Sequence, residues 1–287
     1  AYAQTLFSIN EKRKIISEES FIKGEEYIEK HGLANDKVIV VFVPDVPEGV
    51  VGLVSGKLTE KYYRPTIVFS EGLHYYKASA RSIKTFDLFE ALKTCDDLFL
   101  AYGGHSQAAG MSIEKSEDVL KELRRRLNEY AEKTLKEEDL IKTIYVDQVV
   151  KPDDINFDLM DTINVMEPFG QGNPKPIFYV EDYNTVKKNK GDGWLPYLYM
   201  GEKKNHLKLY GESADIVGFD MVDKYEKAGK PRRLSVAFTL GANHFLGRTY
   251  LQMEMVYFTP VEKKEEEATD LMSALDSAFE DLDSMLT

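Results

Sequence analysis

The residues best suited to chemistry are those at positions 103–110, which read GGHSQAAG. Two glycines ahead of a histidine let the backbone take positive φ and come close to a ligand, and the Ala-Ala-Gly that follows allows tight packing behind them. This pattern predicts that His105 is presented to a ligand instead of being buried. A plain tight turn with a hydrogen-bonded histidine is the competing interpretation.

A second group of polar residues lies upstream, where a strand-like stretch carries Ser79 and Arg81. A hydroxyl, a forked guanidinium and an imidazole near a glycine turn suit a phosphate or phosphodiester, because arginine can donate two parallel hydrogen bonds to the oxygens. We therefore expect Ser79, Arg81 and His105 to form a phosphate site together with the backbone of Gly103 and Gly104.

Arg81 also has a simpler interpretation, in which it pairs with a nearby carboxylate such as Asp87. The sequence contains no catalytic machinery of its own around these residues. It lacks an Asp and His cluster at metal-ligand spacing, a glycine-lysine loop of the Walker type, and a nucleophile with an obvious base. The residues therefore predict a site that holds phosphate, with no metal ligands in this chain.

Length and composition bound the class of protein. The 287 residues are enough for two domains with their own cores. A single cysteine excludes an internal disulfide framework and is typical of a reducing, cytoplasmic setting. No apolar run approaches the roughly 20 residues that cross a bilayer, so no membrane partner is expected. The chain begins with Ala1 and not Met, and we expect it to be the middle of a larger protein.

Charge is unevenly distributed along the chain. The net charge of −12 at first argues against a polyanionic partner, but residues 262–287 hold nine acidic and only two basic residues. Residues 183–233 hold eleven Lys or Arg against seven Asp or Glu. This basic stretch is either an ordinary solvated surface or a surface that binds a polyanion.

The elements that must position the candidate site alternate between strands and helices. A connecting helix is predicted over 1–35, followed by an α/β domain over 36–142. The apolar run 38–43 is typical of a strand buried on both faces. Further strands are predicted at 65–69, 75–82 and 109–113, with His105 in the loop before the last of them.

The pattern changes at Thr143, where helical periodicity nearly vanishes apart from 159–166. Short strands separated by turn residues predict a small all-β sandwich or barrel over 143–261. Residues 262–287 predict an acidic amphipathic helix after a charged linker. That helix either folds back on its own protein, binds a partner, or competes with nucleic acid for the basic stretch.

Several motifs resemble a known family. The first four, in order and spacing, resemble the DHHA1 domain of the DHH phosphoesterase superfamily; they are GVVGLVSGKL at 49–58, RPTIV at 64–68, SARS at 79–82, and GGHSQAAG at 103–110. With EPFGQGNPKPIF at 167–178 and the β-rich segment that follows, the resemblance narrows to the RecJ family of single-strand-specific 5′→3′ DNA exonucleases. It extends over about residues 1–260, so the tail lies outside it.

The resemblance implies an α/β DHHA1-type domain followed by an all-β OB-fold-like barrel, within an exonuclease of DNA repair and recombination. In that family a DHH domain, which has no counterpart in this sequence, holds two Mn²⁺ or Mg²⁺ ions that activate water. No metal is therefore expected in this chain, which should be inactive by itself. Ser79 and Arg81 match positions that grip the phosphate near the 5′ end, and His105 matches the catalytic-site histidine that approaches the scissile phosphate.

Two stretches depart from the family pattern. Lys77-Ala78 stands where Lys-Gly is more usual, which should be harmless. Residues 44–47 replace a Trp-His pair, which puts the contacts of that loop in doubt.

For the β-rich domain the resemblance implies binding of single-stranded DNA, which needs a positive groove for the backbone and aromatic rings for the bases. The candidate cations are Lys187, Lys188, Lys190, Lys203, Lys204, Lys208, Arg232, Arg233 and Arg248. The candidate rings are Tyr183, Trp194, Tyr197, Tyr199 and Tyr210. Most aromatic residues of a small barrel are core, so only some of these rings should contact a base. The turn-rich residues 167–174 fit a domain junction better than a DNA contact.

The expected partners are single-stranded DNA, a DHH catalytic domain and, through the acidic tail, a replication or repair protein. Two other functions compete with the exonuclease. One is a non-catalytic binding or scaffold protein that engages the replication and repair machinery. The other is a small-nucleotide phosphodiesterase, against which a second DNA-binding domain argues.

Overall fold

The computed structural model of the chain describes residues 2–189 and 194–261, with the backbone alone at Asn189, Trp194 and Leu195. Two compact units divide at Thr143 and Ile144. The predicted tail helix over 262–287 lies outside the described residues. Within the described ranges, no helix is both long enough and apolar enough to cross a membrane.

The first unit contains four helices and five strands. The helices are α1 (Tyr2–Lys30), α2 (Glu48–Tyr62), α3 (Leu88–Lys93) and α4 (Glu117–Thr134). The strands are β1 (Ile39–Phe42), β2 (Thr66–Glu71), β3 (Tyr76–Arg81), β4 (Ala101–His105) and β5 (Ala108–Ile113). They form one mixed sheet in the order β1-β2-β3-β5-β4, in which only β1 and β2 pair in parallel.

Helices lie on both faces of this sheet, as the apolar run in β1 predicts. Ile39 and Val41 belong to the core beneath α1 and α2, whereas Val40 belongs to the opposite core beneath α3 and α4. Successive side chains of a strand point to opposite faces, so a strand covered on both sides is apolar at every position.

β1 is the edge strand on one side of the sheet, and α4 covers part of that edge. The Asn128 Oδ1 accepts a hydrogen bond from the N–H of Val38 at 3.0 Å, and its Nδ2 donates to the Val38 carbonyl at 2.9 Å. Arg124 forms a two-pronged ion pair with Asp36 next to this contact. The Asn128 amide thus makes the two backbone hydrogen bonds that a neighbouring strand would make at this edge, and it fixes the sheet against α4.

At the opposite edge of the sheet, β4 and β5 are left uncovered on the side of the sheet where α2 packs. Here β4 and β5 present exposed residues at Ala101, Gly103, His105 and Gly110. The other face of the same two strands is covered, since Met111 and its neighbours are buried against α3 and α4. We call the uncovered surface of β4 and β5, together with the side chains that β3 presents on the same side of the sheet, the open face.

The prediction of a loop at His105 is wrong, because His105 ends strand β4 and only Ser106 and Gln107 turn the chain into β5. Residues 101–105 contain two glycines, which strands usually lack, so local propensity hides the strand. The segment forms a strand because it is hydrogen-bonded to β5, and this pairing is not visible in the local propensity.

The second unit is built on a seven-stranded sheet and a small hairpin. Its strands are β6 (Gln148–Val149), β7 (Phe178–Asn184), β8 (Lys188–Asn189), β9 (Trp194–Leu195), β10 (Tyr197–Met200), β11 (His206–Leu209), β12 (Asp215–Gly218), β13 (Arg233–Phe245) and β14 (Arg248–Pro260). The large sheet has the order β10-β11-β12-β14-β13-β7-β6, and β8 pairs with β9.

One apolar core fills this unit, with Phe238, Met253 and Phe258 among its fully buried members. Two short helices accompany the strands, α5 (Phe157–Asn164) and α6 (Val222–Lys227). The prediction of an all-β domain therefore misses α6. With six residues this helix is too short to show a helical period in the sequence.

Candidate phosphate and nucleic-acid site

Strand register brings the predicted phosphate residues of the first unit onto one surface. Arg81 of β3 pairs with Ala108 of β5, and Ala108 pairs with His105 of β4. Directly paired residues share a face of the sheet. Arg81 and His105 therefore lie on the open face, separated by two strand spacings, or about 10 Å at the backbone. Ser79 lies on the same face, two residues before Arg81.

The Arg81 side chain is held in a defined position beside α2. Its Nη1 donates to the Ser79 Oγ at 3.2 Å and to the Ala80 carbonyl at 2.9 Å. Gly52 of α2 makes room for this arrangement, because a β-carbon there would come within 3.2 Å of both the Arg81 Nη2 and the Ser79 Oγ. The second glycine of the motif GVVGLVSGKL at 49–58 thus lies where the guanidinium needs space.

No carboxylate within the described residues forms an ion pair with Arg81. Asp87, the partner in the competing interpretation, instead caps α3 by accepting the Glu90 N–H at 3.1 Å. Lys77, on the same strand and face, is paired with Glu48. Arg81 therefore keeps donors and a full positive charge for a ligand, which is the condition for a phosphate site.

Hydrogen bonds to the preceding loop fix the hairpin that carries His105. The N–H groups of Ser82 and Leu88 donate to the carbonyls of Gln107 and Ser106, each at 3.0 Å. His105 itself is exposed and not buried. Its backbone is thus tied to the same chain segment that follows Arg81.

The two glycines before His105 have different roles. Gly104 has a φ of +156°, and a β-carbon there would lie 2.3 Å from the Ala108 carbonyl oxygen, so the fold itself requires glycine. At Gly103 φ is not positive, and a β-carbon would have nothing within 4 Å. The expectation of positive φ at both positions is therefore wrong for Gly103, whose small size leaves the open face flat.

The candidate lysines of the second unit are partly neutralised. Lys188 and Lys208 both pair with Asp215, with N–O distances of 2.7 and 3.1 Å. Both ammonium groups also lie within 6 Å of the ring centroid of Tyr210. Two cations that share one carboxylate leave a net charge of one, so this cluster is only weakly positive.

The candidate arginines have different partners. Arg233 is hydrogen-bonded to Asp182 and holds the pKa of that carboxyl below its usual value. Arg232 donates to the Thr185 carbonyl at 3.2 Å. The remaining candidate cations of the described part, Lys187, Lys203, Lys204 and Arg248, are exposed; Lys190 lies outside it.

The candidate aromatic residues separate into core and surface. Tyr183 and Tyr210 are 1% exposed, so neither ring is available to a base. Tyr197 and Tyr199 are half-buried and stack on each other with centroids 5.1 Å apart. The side chain of Trp194 lies outside the described part.

Lys230, which the sequence analysis did not single out, lies over the stacked pair. Its Nζ is 5.5 Å from the Tyr197 centroid and 5.9 Å from that of Tyr199. Lys230 is itself ion-paired with Glu226, with an N–O distance of 3.0 Å. The two rings therefore form a surface on which a base can stack, and the charge of the lysine is balanced. The sequence points to Lys230 only through its place in the basic stretch 183–233.

Residues 167–174 form an exposed loop that is closed on itself. Gly170 and Asn173 exchange backbone hydrogen bonds, and the Asn173 side chain donates to the carbonyls of Met166 and Pro168. The turn-forming residues of this motif therefore stabilise the loop locally.

No metal site is formed by the described residues. Within 2–189 and 194–261, no three His, Cys, Asp or Glu side chains are grouped to hold an ion. The donor set on the open face is a guanidinium, a hydroxyl and an imidazole, which suits an anion better than a cation.

Comparison with known proteins places both units in described families. Residues 35–133 match the family described as DHHA1 domain, and residues 146–257 match that described as RecJ OB domain. These matches confirm the predicted fold class for the two domains.

Relatives in other bacteria cover most of the chain. The single-stranded-DNA-specific exonuclease RecJ of Bacillus subtilis (strain 168) is 35% identical over 257 residues, which are 88% of this chain and 31% of that protein. The protein of the same name from Escherichia coli (strain K12) is 27% identical over 276 residues, 90% of this chain and 45% of its own length. The chain thus spans less than half the length of either relative.

A solved structure has a similar fold. The crystal structure of RecJ in complex with Mn²⁺ from Thermus thermophilus has a TM-score of 0.68 and 22% identity. The match covers 91% of this chain and 36% of that one.

The contrast between the two glycines predicts opposite effects of substitution. Gly104→Ala should lower the free energy of unfolding by several kcal/mol or prevent folding, because its β-carbon overlaps the backbone of β5. Gly103→Ala should be neutral or stabilise the chain by up to about 1 kcal/mol, since alanine loses less conformational entropy on folding. Urea denaturation followed by circular dichroism measures both, and equal stability of the two variants would contradict this account.

Proposed function

Because the chain belongs to the RecJ family, of which it carries the DHHA1 and OB domains, we propose that it is the DNA-holding part of a metal-dependent 5′→3′ single-stranded-DNA exonuclease. In this function the first unit grips the 5′ phosphate and the second binds the single strand. The free, buried thiol of Cys95 supports a cytoplasmic setting for this DNA repair and recombination enzyme.

The observation that carries the proposal is the charge of Arg81. It lies on the open face with the Ser79 hydroxyl at hydrogen-bond distance and no carboxylate partner among the described residues. A terminal phosphate, which has more free oxygens and more charge than an internal one, is the ligand that gains most from a guanidinium and a hydroxyl held together.

His105 is the second point of contact in the proposed site. The backbone of His105 lies about 10 Å from that of Arg81, across two strand spacings of the sheet. From there His105 is too far away to share one phosphate with Ser79. It fits a position further along the same strand of DNA. There it can hold or polarise the phosphate that is to be cleaved, and so it is our catalytic candidate. Gly103, two residues before His105 on the same face of β4, allows the DNA backbone to approach the sheet.

The residues of this chain do not account for the hydrolytic step. By the family resemblance, a DHH domain would hold the Mn²⁺ or Mg²⁺ ions that activate water in the whole enzyme. Solved structures of RecJ from Thermus thermophilus in complex with Mn²⁺ and Mg²⁺ support metal dependence of the whole enzyme.

In the second unit the stacked pair Tyr197 and Tyr199 with Lys230 is proposed to hold bases of the strand. Lys187 lies exposed in the same unit and adds positive charge for the DNA backbone. The ion pairs at Asp215 and Asp182 limit the contribution of Lys188, Lys208 and Arg233. Binding by this unit should therefore depend more on stacking than on a high density of positive charge.

Arg81→Ala should weaken binding of a 5′-phosphorylated single strand about 10- to 100-fold, because charge-assisted hydrogen bonds of roughly 1.5–3 kcal/mol are lost. Binding of the same strand with a 5′-hydroxyl should change little. Fluorescence anisotropy with both oligonucleotides measures the difference. Arg125→Ala is the matched control, since that arginine pairs with Glu122 and Glu129 on α4. Equal losses for the two ends would argue against a 5′-phosphate grip.

The purified 287-residue chain should not hydrolyse DNA. With Mn²⁺ and a 5′-phosphorylated single strand we expect no release of nucleotides above the rate without protein, because the metal ligands belong to another domain. Gel analysis of the end-labelled strand tests this. Metal-dependent turnover that copurifies with the chain would overturn the assignment.

Replacing both Tyr197 and Tyr199 by Ala should weaken binding of single strands, by about 1–3 kcal/mol for each base that stacks. The preference for a 5′ phosphate should remain. Tyr250→Ala, which removes an exposed ring elsewhere in the second unit, is the control.

Titrations over a range of salt also separate the two competing functions, the exonuclease part and the scaffold. Measurable binding at low salt that weakens as salt is added supports direct DNA binding, whereas no measurable binding at low salt favours the non-catalytic scaffold.

A further inference from the structure

A cavity of about 400 Å³ adjoins the proposed phosphate grip on the same face of the sheet. Ser79 lines it at one end, and Tyr75 and Lys77 line it at the other. Along the chain Lys77 is two residues from Ser79, or about 7 Å, and Tyr75 is four residues away, or about 13 Å if extended. A group bonded to a phosphate at Ser79 and Arg81 would therefore enter this cavity.

The floor of the cavity consists of small residues of β4 and β5, among them Ala101, Gly110 and Ser112. Gly110 is directly opposite Gly103, which continues the flat surface towards His105. Neither glycine is needed by the fold. A β-carbon at Gly110 would have its nearest contact at 3.9 Å and one at Gly103 would have none within 4 Å, and neither has positive φ.

Glycine weakens the interior of a strand, and it often marks a place where a ligand or another backbone approaches closely. At Gly104 the backbone that approaches closely is that of β5. At Gly103 and Gly110 no described residue approaches in this way. Their absent side chains leave room for something flat that lies on the sheet.

The walls of the cavity indicate an uncharged ligand. Lys77 is the cation within reach, and its charge is balanced by Glu48, with which it forms a hydrogen-bonded ion pair. The ring of Tyr75 lies 5.6 Å from the Lys77 Nζ, and Val51 of α2 adds an apolar side. A second phosphate would find no net positive charge here, whereas a planar ring with polar edges would contact an aromatic wall and paired polar groups.

We propose that this cavity binds the nucleoside attached to the 5′ phosphate, with its base on the floor at Gly110 and against Tyr75. The inference rests on the proposed function of the Ser79 and Arg81 site, and it adds that the terminal base is bound as well as the phosphate. The cavity volume suits a ligand of this size, since small-molecule sites begin at about 300 Å³.

The test compares two 5′-phosphorylated single strands that are identical except that one has an abasic analogue as its first nucleoside. The full 287-residue chain should bind the strand with a normal first nucleoside about 10-fold more tightly, the range that base stacking supplies. Tyr75→Ala and Gly110→Val should each bring this ratio close to one. Tyr75→Phe, which keeps the ring, should retain it.

Gly170→Val serves as the control for adding a branched side chain at an exposed glycine, where nothing lies within 4 Å of the new β-carbon. Circular dichroism verifies that the Gly110 variant folds, and Tyr75→Ala tests the same cavity without altering the strand. A ratio of one in the unaltered chain, or an unchanged ratio in both cavity variants, would overturn the inference.

A strand with a 5′-hydroxyl separates this result from failure of the phosphate site. If phosphate is preferred over hydroxyl and Arg81→Ala abolishes that preference, while the abasic strand binds equally well, the grip stands and the nucleoside cavity is wrong. If neither the phosphate nor the base affects affinity, both proposals are wrong.

Discussion

The antiparallel register of β3, β5 and β4 is the constraint on which the candidate site depends. It places Ser79, Arg81 and His105 on one face of the sheet although they are distant in sequence. The close approach of β4 to β5 at Gly104 holds this register, because any side chain there would overlap the Ala108 carbonyl. A shift by one residue would turn the strand's side chains to the opposite face, where α3 and α4 pack. The pairing that turns the polar groups away from the core thus requires that position 104 carries no side chain.

Electrostatic pairing determines which cations remain available. On α4, Arg124, Arg125 and Arg126 are all bound to carboxylates, and the pKa of Glu122 falls to about 2 because two of these arginines hydrogen-bond to it. Arg81 has no such partner among the described residues. In a protein with a net charge of −12, an unpaired guanidinium beside a hydroxyl forms a local positive field that its surroundings do not cancel.

The same distinction applies to the second unit. Lysines that look equivalent in the basic stretch differ in how much of their charge is balanced, because Lys188 and Lys208 share an ion pair with Asp215. Tyrosines differ as well, since the hydroxyl of Tyr183 is hydrogen-bonded to the backbone of Ala214 inside the core. The rings of Tyr197 and Tyr199 are half-buried on β10, which is the edge strand of the large sheet as far as the structure describes it.

By itself, the sequence determined the order of the two domains, the buried strand at 38–43 and the residue types of the phosphate site, because these depend on local periodicity and on motifs of adjacent residues. Only the tertiary structure decided that His105 ends a strand, that Gly103 and Gly104 serve different purposes, and which cations are neutralised. Those properties depend on strand pairing and on burial between segments far apart in the chain, which a local pattern does not encode.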